Sequence, residues 1–438
     1  MTEAHRTHDG AETLSAPVKA RVDRLQAGLK ARYAKERRFK LYGLMAIAVA
    51  VGFLLLLLGR IIEQGHTAFY AHDISVPVYM DPARIDRAYP QGTNFELLVA
   101  EQQLRRFGMT DDAQGTQAAA MRSLFSSELK FRAADMVRAN PALIGQTVPV
   151  TSPVSDEADL YYKGEITAET PADQRRVSDQ QMAWLDRLKS EGAVRAHFNS
   201  ALFTNGDSTE PEQAGVLGAV VGSALMLLVT ALIAIPIGVG AAVYLEEFSP
   251  RNRVTDLIEV NINNLAAVPS IVYGLLGVAL FINWMSLPRS SPLVGGLVLA
   301  LMALPTIIIA TRSSLKAVPP SIREAALAMG ASRTQTVFQH VLPLAMPGVM
   351  TGTIISMAHA LGETAPLLLI GMVSFVPGIP GGLTEPTGAL PSLVYIWENA
   401  SERAFHERTA AAILVLLAFM IVMNAAAILL RRRFERRW

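Results

Sequence analysis

The sequence predicts an all-α integral membrane protein with six transmembrane helices and an inserted extracytoplasmic domain of mixed α and β structure. Three observations support this fold class. Only 18% of the residues are charged, whereas soluble domains average about 25%. Six apolar runs are long enough to cross a bilayer, which takes about 20 residues per helix. The stretch 63–213, by contrast, contains no such run and has the periodicities of a soluble domain.

The predicted transmembrane segments are 41–62, 214–245, 262–284, 292–310, 347–373 and 409–430. The first contains the uncharged run LYGLMAIAVAVGFLLLLLG, and the following GRIIEQG offers no small-residue cleavage site. We therefore expect an uncleaved anchor rather than a signal peptide. Proline and glycine interrupt the third and fourth segments at VPSIVYG and LMALPTII. Such breaks are tolerated where neighbouring helices or water satisfy the freed backbone groups.

The positions of lysine and arginine predict the orientation of the chain. Ten of them lie in residues 1–40 and five in the tail 431–438, whereas the loops 285–291 and 374–408 together hold three. Because cytoplasmic loops carry the excess of positive charge, we expect both termini in the cytoplasm and region 63–213 on the far side of the membrane. The basic N-terminal segment determines topology in this interpretation; a helix lying on the membrane surface is the alternative.

The inserted domain, 63–213, is predicted to contain both strands and helices. DISVPVYM alternates Ile74, Val76, Val78 and Met80, which is typical of a half-buried strand. FELLVAEQQLRRFG and DQQMAWLDRLKSEGAVRAHFNSALF have helical spacing. The domain shows no metal-ligand spacing, catalytic triad or glycine-rich loop. Its role is structural in the simplest interpretation, with a docking surface or a lid over a pathway as alternatives.

Composition excludes several classes of function. The net charge of +1 argues against a nucleic-acid partner, and the absence of cysteine excludes disulfides and thiolate metal sites. We expect no cofactor, no metal site and no catalytic residues. No GxxxxGK[ST] motif occurs, so the chain has no P-loop to bind ATP phosphates.

The loop between the fourth and fifth segments is the most informative stretch. It reads SIREAALAMGASRTQTVFQHVLPLAMPG and follows two prolines. Ser321 is predicted to cap a helix, with Glu324 completing a capping box. Gly330 then allows a sharp turn into a second short helix. Small alanine side chains give the first helix a low surface that fits a groove in a partner. The loop therefore favours a mechanical coupling surface, with an interfacial amphipathic hairpin as the alternative.

The spacing of this loop resembles the EAA loop of ABC importer permeases. The matching residues are Glu324, Ala325, Ala326, Gly330, Leu342 and Pro343. His340 stands where the family usually has isoleucine or valine. The stretches LAAVPSIVYGLLGVALF, ALPTIIIATRSSLKAVP and ALGETAPLL are similar to the permease subunits of phosphate importers of the PstA type. The resemblance covers 214–430, so residues 1–213 look like an N-terminal extension.

The resemblance implies a transport subunit rather than an enzyme. The fold would be a type I permease core of about five helices plus the N-terminal anchor. The loop 319–346 would dock into an ATPase subunit that hydrolyses ATP. The implied partners are a second phosphate permease, two ATP-binding subunits, a periplasmic phosphate-binding protein and membrane lipid. The alternatives are a permease for another oxyanion, such as molybdate or sulfate, a membrane-anchored sensor, and a membrane-embedded enzyme.

Polar residues in the fifth segment are candidates for the translocation pathway or its gate. Thr353, Ser356, His359 and Glu363 are spaced 3, 3 and 4 apart, which places them on one helical face. A charged residue at membrane depth costs about 2.5–3.5 kcal/mol, so it usually faces a cavity or a partner. Thr364 follows directly and joins the candidates. In the alternative, the hydroxyls bond within the helix bundle and Glu363 is structural.

An anionic cargo also requires a cation. Arg312, at the cytoplasmic end of the fourth segment, is the candidate, and an anchor that reaches the membrane surface is the alternative. Phosphate permeases commonly carry arginine where this chain has His359. An unperturbed histidine is charged only below about pH 6.5. Pro366 leaves a carbonyl near Gly362 without a donor, so Glu363 is also expected to support a local break in the helix.

Overall fold

A computed structural model of the chain describes residues 16–109, 115–172, 175–373 and 375–434. The predicted basic segments therefore lie in part outside the described residues, at 1–15 and 435–438. The chain divides into two compact units, residues 1–60 and residues 61–438. The first is built on helix α1, which spans Ala16–Gly65 and contains the predicted anchor.

The inserted region, 63–213, combines a small sheet with helices. Its elements are β1 (Tyr70–Tyr79), α2 (Phe95–Arg106), α3 (Thr116–Arg122), α4 (Glu128–Ala139), β2 (Thr147–Pro153), α5 (Asp156–Lys163), α6 (Asp179–Ser190), β3 (Val194–Phe198) and α7 (Ala201–Thr204). Single 3-10 turns cover Thr67–Phe69, Pro90–Gly92, Pro141–Leu143 and Pro211–Gln213.

β1 is the central strand of an antiparallel sheet with the order β2-β1-β3. Ile74, Val76, Val78 and Met80 are fully buried in the core of the region, which confirms the predicted alternation. The helix predicted from FELLVAEQQLRRFG is confirmed as α2. The second helical prediction is wrong between α6 and α7. Gly192 adopts a φ of +73°, which turns the chain back, and the following residues pair with β1 as β3.

A buried network of ion pairs joins the inserted region to the last helix, α17 (Ala404–Phe434). Lys163 Nζ lies 2.7 Å from Asp159 Oδ2 and 2.6 Å from Glu407 Oε1. The three side chains are 4%, 9% and 7% exposed. His72 donates its backbone N–H to Asp159 at 3.0 Å, and its ring Nδ1 lies 2.8 Å away. Burial acts to raise the pKa of Asp159, but the His72 hydrogen bond and the Lys163 charge hold it below its ordinary value.

The membrane part follows the inserted region. Its helices are α8 (Leu217–Val243), α9 (Arg253–Ala266), α10 (Ser270–Gly277), α11 (Pro292–Lys316), α12 (Pro320–Ala328), α13 (Arg333–Gln335), α14 (Leu342–Gly362), α15 (Ala365–Leu369), α16 (Leu390–Glu398) and α17 (Ala404–Phe434). π-helical segments extend α8 through Tyr244–Phe248 and α10 through Val278–Trp284, and Thr336–Val341 precedes α14. Five helices in the described residues are long and apolar enough to cross a membrane, or six if the bent pair α9–α10 counts as one span.

The break predicted in the third segment at VPSIVYG is confirmed. α9 and α10 meet at an angle of 100°. Pro269 lies at this corner, where it has no N–H to donate and forces the preceding residue out of the helical region.

The fourth and fifth segments also differ from their predicted bounds. The fourth continues unbroken to Lys316 despite Pro305 inside it. In the fifth segment, α14 starts at Leu342, earlier than predicted, and ends at Gly362. Only the short α15 follows it. Pro366 explains the early end because it cannot donate to a helical carbonyl four residues before it.

Small residues allow α11 to pack closely on its neighbours. A Cβ on Gly296 would lie 2.5 Å from Cβ of Val229 on α8, and one on Gly352 of α14 would lie 2.2 Å from Cβ of Ala310. Thr230 donates to the Gly296 carbonyl at 3.0 Å across the same contact. Close backbone approach and interhelical hydrogen bonds are how membrane helices associate, since lipid removes the hydrophobic driving force between them.

Candidate functional site

The loop predicted to dock a partner begins with α12, whose surface is open. No residue of α12 is buried, and Glu324 and Ala325 are exposed while Ala326 is half buried. Leu327 is 47% exposed, and Met329 at the end of the helix is 89% exposed. An exposed apolar patch on a short rigid helix is a feature of protein interaction sites.

The predicted capping box at Ser321 and Glu324 is wrong. α12 begins at Pro320, and Pro319 occupies the capping position without a side-chain hydrogen bond. Proline suits the first helical position because its fixed φ is already helical and the missing N–H would have no partner there. A capping box occurs instead at the next helix, where Ser332 Oγ accepts from the Gln335 N–H at 3.2 Å.

The predicted turn at Gly330 is confirmed. Gly330 has a φ of +87°, in the left-handed region, and its N–H donates to the Leu327 carbonyl at 3.0 Å. The Ala331 N–H donates to the Ala326 carbonyl at 3.1 Å. These two bonds form a Schellman motif, which ends a helix by satisfying its last carbonyls.

The second short helix is not separate. α13, the π-helical segment and α14 form one continuous helix from Arg333 to Gly362, with Leu342 and Pro343 at the start of α14. The widened π turn lets the helix pass Pro343, which has no N–H to donate. His340 is exposed, so replacing the family's aliphatic residue leaves no hole in the core.

Arg312 lies in a group of ion pairs rather than beside an open space. Its Nε is 3.4 Å from Glu246 Oε2, and its NH2 is 2.5 Å from Glu259 Oε1. Lys316 also approaches Glu246, at 3.6 Å. Arg312 is 13% exposed, and two carboxylates balance its charge. This environment favours the anchoring interpretation of Arg312, which thereby ties α11 to α8 and α9.

A second ion pair holds α12. Arg323 on α12 donates to both oxygens of Glu247, with NH2 to Oε1 at 2.6 Å and Nε to Oε2 at 3.2 Å. Arg323 also donates to the carbonyls of Val318 at 2.8 Å and Leu315 at 3.0 Å. The guanidinium therefore holds three pieces of the chain: α12, the end of α11 and the π turn after α8.

The predicted polar face of the fifth segment divides into two parts. Thr353 and Ser356 are buried, and their hydroxyls donate to the carbonyls of Val349 at 2.9 Å and of Ala303 on α11 at 3.3 Å. His359 is 70% exposed, and its Nε2 lies 3.2 Å from Oε1 of Glu363, which is 18% exposed. The two hydroxyl residues thus pack the bundle, and the open pair lies at the end of the helix.

The break expected at Glu363 is present. α14 ends at Gly362, and Glu363 has extended backbone angles of φ −78° and ψ 121°. Thr364 is half buried, and its carbonyl accepts the N–H groups of Leu367 and Leu368 at 3.1 Å.

Family models match both parts of the chain. Residues 234–438 match the family described as the binding-protein-dependent transport system inner membrane component. Residues 26–172 match a domain of unknown function, DUF3333. A probable ABC transporter permease protein, YqgI of Bacillus subtilis, is 33% identical over 226 residues, which are 49% of this chain and 76% of that protein.

The chain belongs to the ABC transporter permease family. The phosphate transport system permease protein PstA 1 of Mycobacterium tuberculosis is 34% identical over 224 residues, which cover 50% of this permease and 72% of the relative. The solved MetNI methionine ABC transporter in inward-facing conformations contains a chain that is 20% identical with a TM-score of 0.39, covering 50% of this permease and 95% of that chain.

Sequence reasoning missed the acidic partners of Arg312 and Arg323. None of these acidic partners, Glu246, Glu247 and Glu259, is among the predicted site residues. The adjacent EE at the end of an apolar run was the available signal, because two carboxylates at a membrane boundary require cations nearby. The partners, Arg312 and Arg323, are 66 and 76 residues away in sequence.

The permease also holds a polar cavity of about 600 Å³ between the inserted region and the membrane helices. Asp207 and Glu212 line it together with the buried Arg408. Burial raises the pKa of Glu212 to about 7, against a hydrogen bond from Ser126. Burial likewise raises the pKa of Asp207 to about 6, although the Trp397 indole N–H donates to it at 2.8 Å. The described residues contain no group of three histidine or acidic side chains that fits a metal ion.

Proposed function

We propose that this permease is a membrane subunit of an ATP-driven phosphate importer. Its similarity to PstA permeases supports phosphate as the cargo. A second permease, two ATP-binding subunits and a periplasmic phosphate-binding protein complete the complex. The orientation that follows from the positive charges puts both termini in the cytoplasm and the inserted region outside the inner membrane.

The open surface of α12 carries the coupling part of the proposal. Glu324, Ala325 and Leu327 present a short rigid helix with nothing packed over it in the described chain. A groove in the ATP-binding subunit covers this surface, and Gly330 sets the direction of the helix that follows. Movement of the ATP-binding subunits is thereby passed to the membrane helices, since this chain has no P-loop of its own.

His359 and Glu363 are the candidates for contact with the cargo. They form the open end of the polar face, whereas Thr353 and Ser356 are satisfied by helix carbonyls. The His359 ring can donate an N–H to an anion while the neighbouring carboxylate weakens that binding, and a path that must release its cargo requires weak binding. Arg312 serves in this proposal as an anchor for α11.

The test is uptake by proteoliposomes that contain the complete complex, loaded with ATP and supplied with the binding protein. We expect accumulation of radiolabelled phosphate that excess molybdate or sulfate does not reduce. Uptake of molybdate or sulfate in place of phosphate would assign the permease to another oxyanion. Absence of uptake of all three anions by an ATP-hydrolysing complex would contradict an anion importer.

A further inference from the structure

The pair Arg323–Glu247 has the geometry of a rigid joint. The planar guanidinium makes two parallel contacts to the carboxylate and two more to backbone carbonyls. Glu247 is 9% exposed and Arg323 is 24% exposed, so water screens the pair weakly. Bidentate arginine–carboxylate pairs fix orientation as well as distance, which a lysine cannot do.

The π turn after α8 makes ion pairs with two different helices. Glu246 and Glu247 are neighbours in sequence, but Glu246 binds Arg312 on α11 and Glu247 binds Arg323 on α12. π segments are uncommon and occur frequently at functional sites. Here the widened turn, Tyr244–Phe248, lets consecutive carboxylates reach cations on different helices.

We propose that Arg323 is a positioning residue, and that its joint with Glu247 passes displacement of α12 to α8 and α11. The inference rests on the proposed function, because it assumes that α12 receives the movement of an ATP-binding subunit. Three residues, 317–319, link α11 to α12 in the chain. This link alone would allow α12 to rotate relative to α11. Arg323 removes that freedom because it binds the carbonyls of Leu315 and Val318 and, at the same time, the carboxylate of Glu247.

The apolar contacts beneath α12 do not replace this joint. Ile322 packs on a cluster that includes Leu315, Val318 and Val341. Dispersion contacts of this kind are non-directional, so they resist separation of the helices more than rotation. The direction of α12 therefore depends on the ion pair.

The experiment compares Arg323→Lys and Glu247→Gln with the wild type in proteoliposomes that contain the complete complex. The measured quantity is phosphate taken up per ATP hydrolysed. We expect both variants to assemble and hydrolyse ATP, with that ratio lowered about fivefold or more, the lower end of usual coupling effects. Arg195→Lys is the matched control, since Arg195 is an exposed arginine on β3, outside the loop 319–346, and it keeps the wild-type ratio.

A merely structural role predicts less assembled complex with an unchanged ratio, and that result would overturn the inference. If a variant does not assemble, spin labels at Ala328→Cys and Leu232→Cys decide the question in the purified chain, because both positions are exposed and the chain has no other cysteine. The inference requires a broader distance distribution in Arg323→Lys than in the wild type; equal distributions contradict it. Loss of uptake by the wild-type complex would count against the proposed function instead.

Discussion

Glu363 is a polar side chain at the end of a membrane helix, and two features offset the cost of placing it there. The chain leaves the helical conformation there, and Nε2 of His359 lies 3.2 Å from Oε1. Only one side of the pair is covered, since His359 is 70% exposed. An ionisable pair that is open on one side is a functional candidate in a membrane protein.

Glu363→Gln removes the charge and keeps the size of the side chain. We expect phosphate uptake per assembled complex to fall about tenfold, the effect of about 1.4 kcal/mol on the limiting barrier. Glu398→Gln is the control, because Glu398 also lies near a histidine, His406 at 3.9 Å, but at an exposed surface. Reduced assembly with normal turnover in Glu363→Gln would make the residue structural.

Sequence spacing could predict which residues share a face but not what covers that face. Thr353, Ser356, His359 and Glu363 do follow helical spacing, up to the end of α14 at Gly362. α11 covers the first half of the face, where Ser356 reaches the Ala303 carbonyl. The position of α11 depends on long-range packing, which a local pattern does not contain.

The turn after α12 depends on one backbone conformation. A Cβ at Gly330 would meet no atom within 4 Å, so space does not restrict the residue at this position. Its φ of +87° does, since the left-handed region costs most residues about 1–2 kcal/mol. Backbone strain and steric conflict are therefore separable here.

Gly330→Val and Gly330→Asn form a matched pair. Valine is β-branched and opposes the left-handed conformation, whereas asparagine tolerates it. We expect Gly330→Val to lower both binding of the ATP-binding subunits and phosphate uptake several-fold, because a change of about 1–2 kcal/mol shifts an equilibrium by that factor or more. Gly330→Asn keeps most of both activities. Equal co-purification and uptake for the two variants would show that the turn does not set the docking geometry.

The elements with strong local signals were predictable, and those decided by tertiary contacts were not. The alternation in β1 and the turn at Gly330 each depend on a few neighbouring residues. β3 lies in a stretch with helical spacing, yet it pairs with β1, so that Ile74 lies opposite Val194. The corner at Pro269 and the uninterrupted passage of Pro305 show that proline alone does not decide whether a membrane helix breaks.

The orientation of the whole permease can be tested with single cysteines, since the chain has none. Ala139 is an exposed residue at the end of α4 and is a suitable position for a cysteine probe. We expect an impermeant thiol reagent to label Ala139→Cys in spheroplasts with an intact inner membrane. It should leave Ala328→Cys unlabelled. The positive-inside pattern is the physical reason. The reverse labelling pattern would invert the topology.

We expect the buried network of ion pairs at Lys163 to make the inserted region and α17 move together. Opening the contact would leave buried charges unpaired, so we expect it to stay closed while looser contacts rearrange. We expect a tilt of α17 to turn the inserted region with it, and atoms far from the pivot to travel furthest. A fluorophore on α4 therefore reports the orientation of the last membrane helix without any label inside the bilayer.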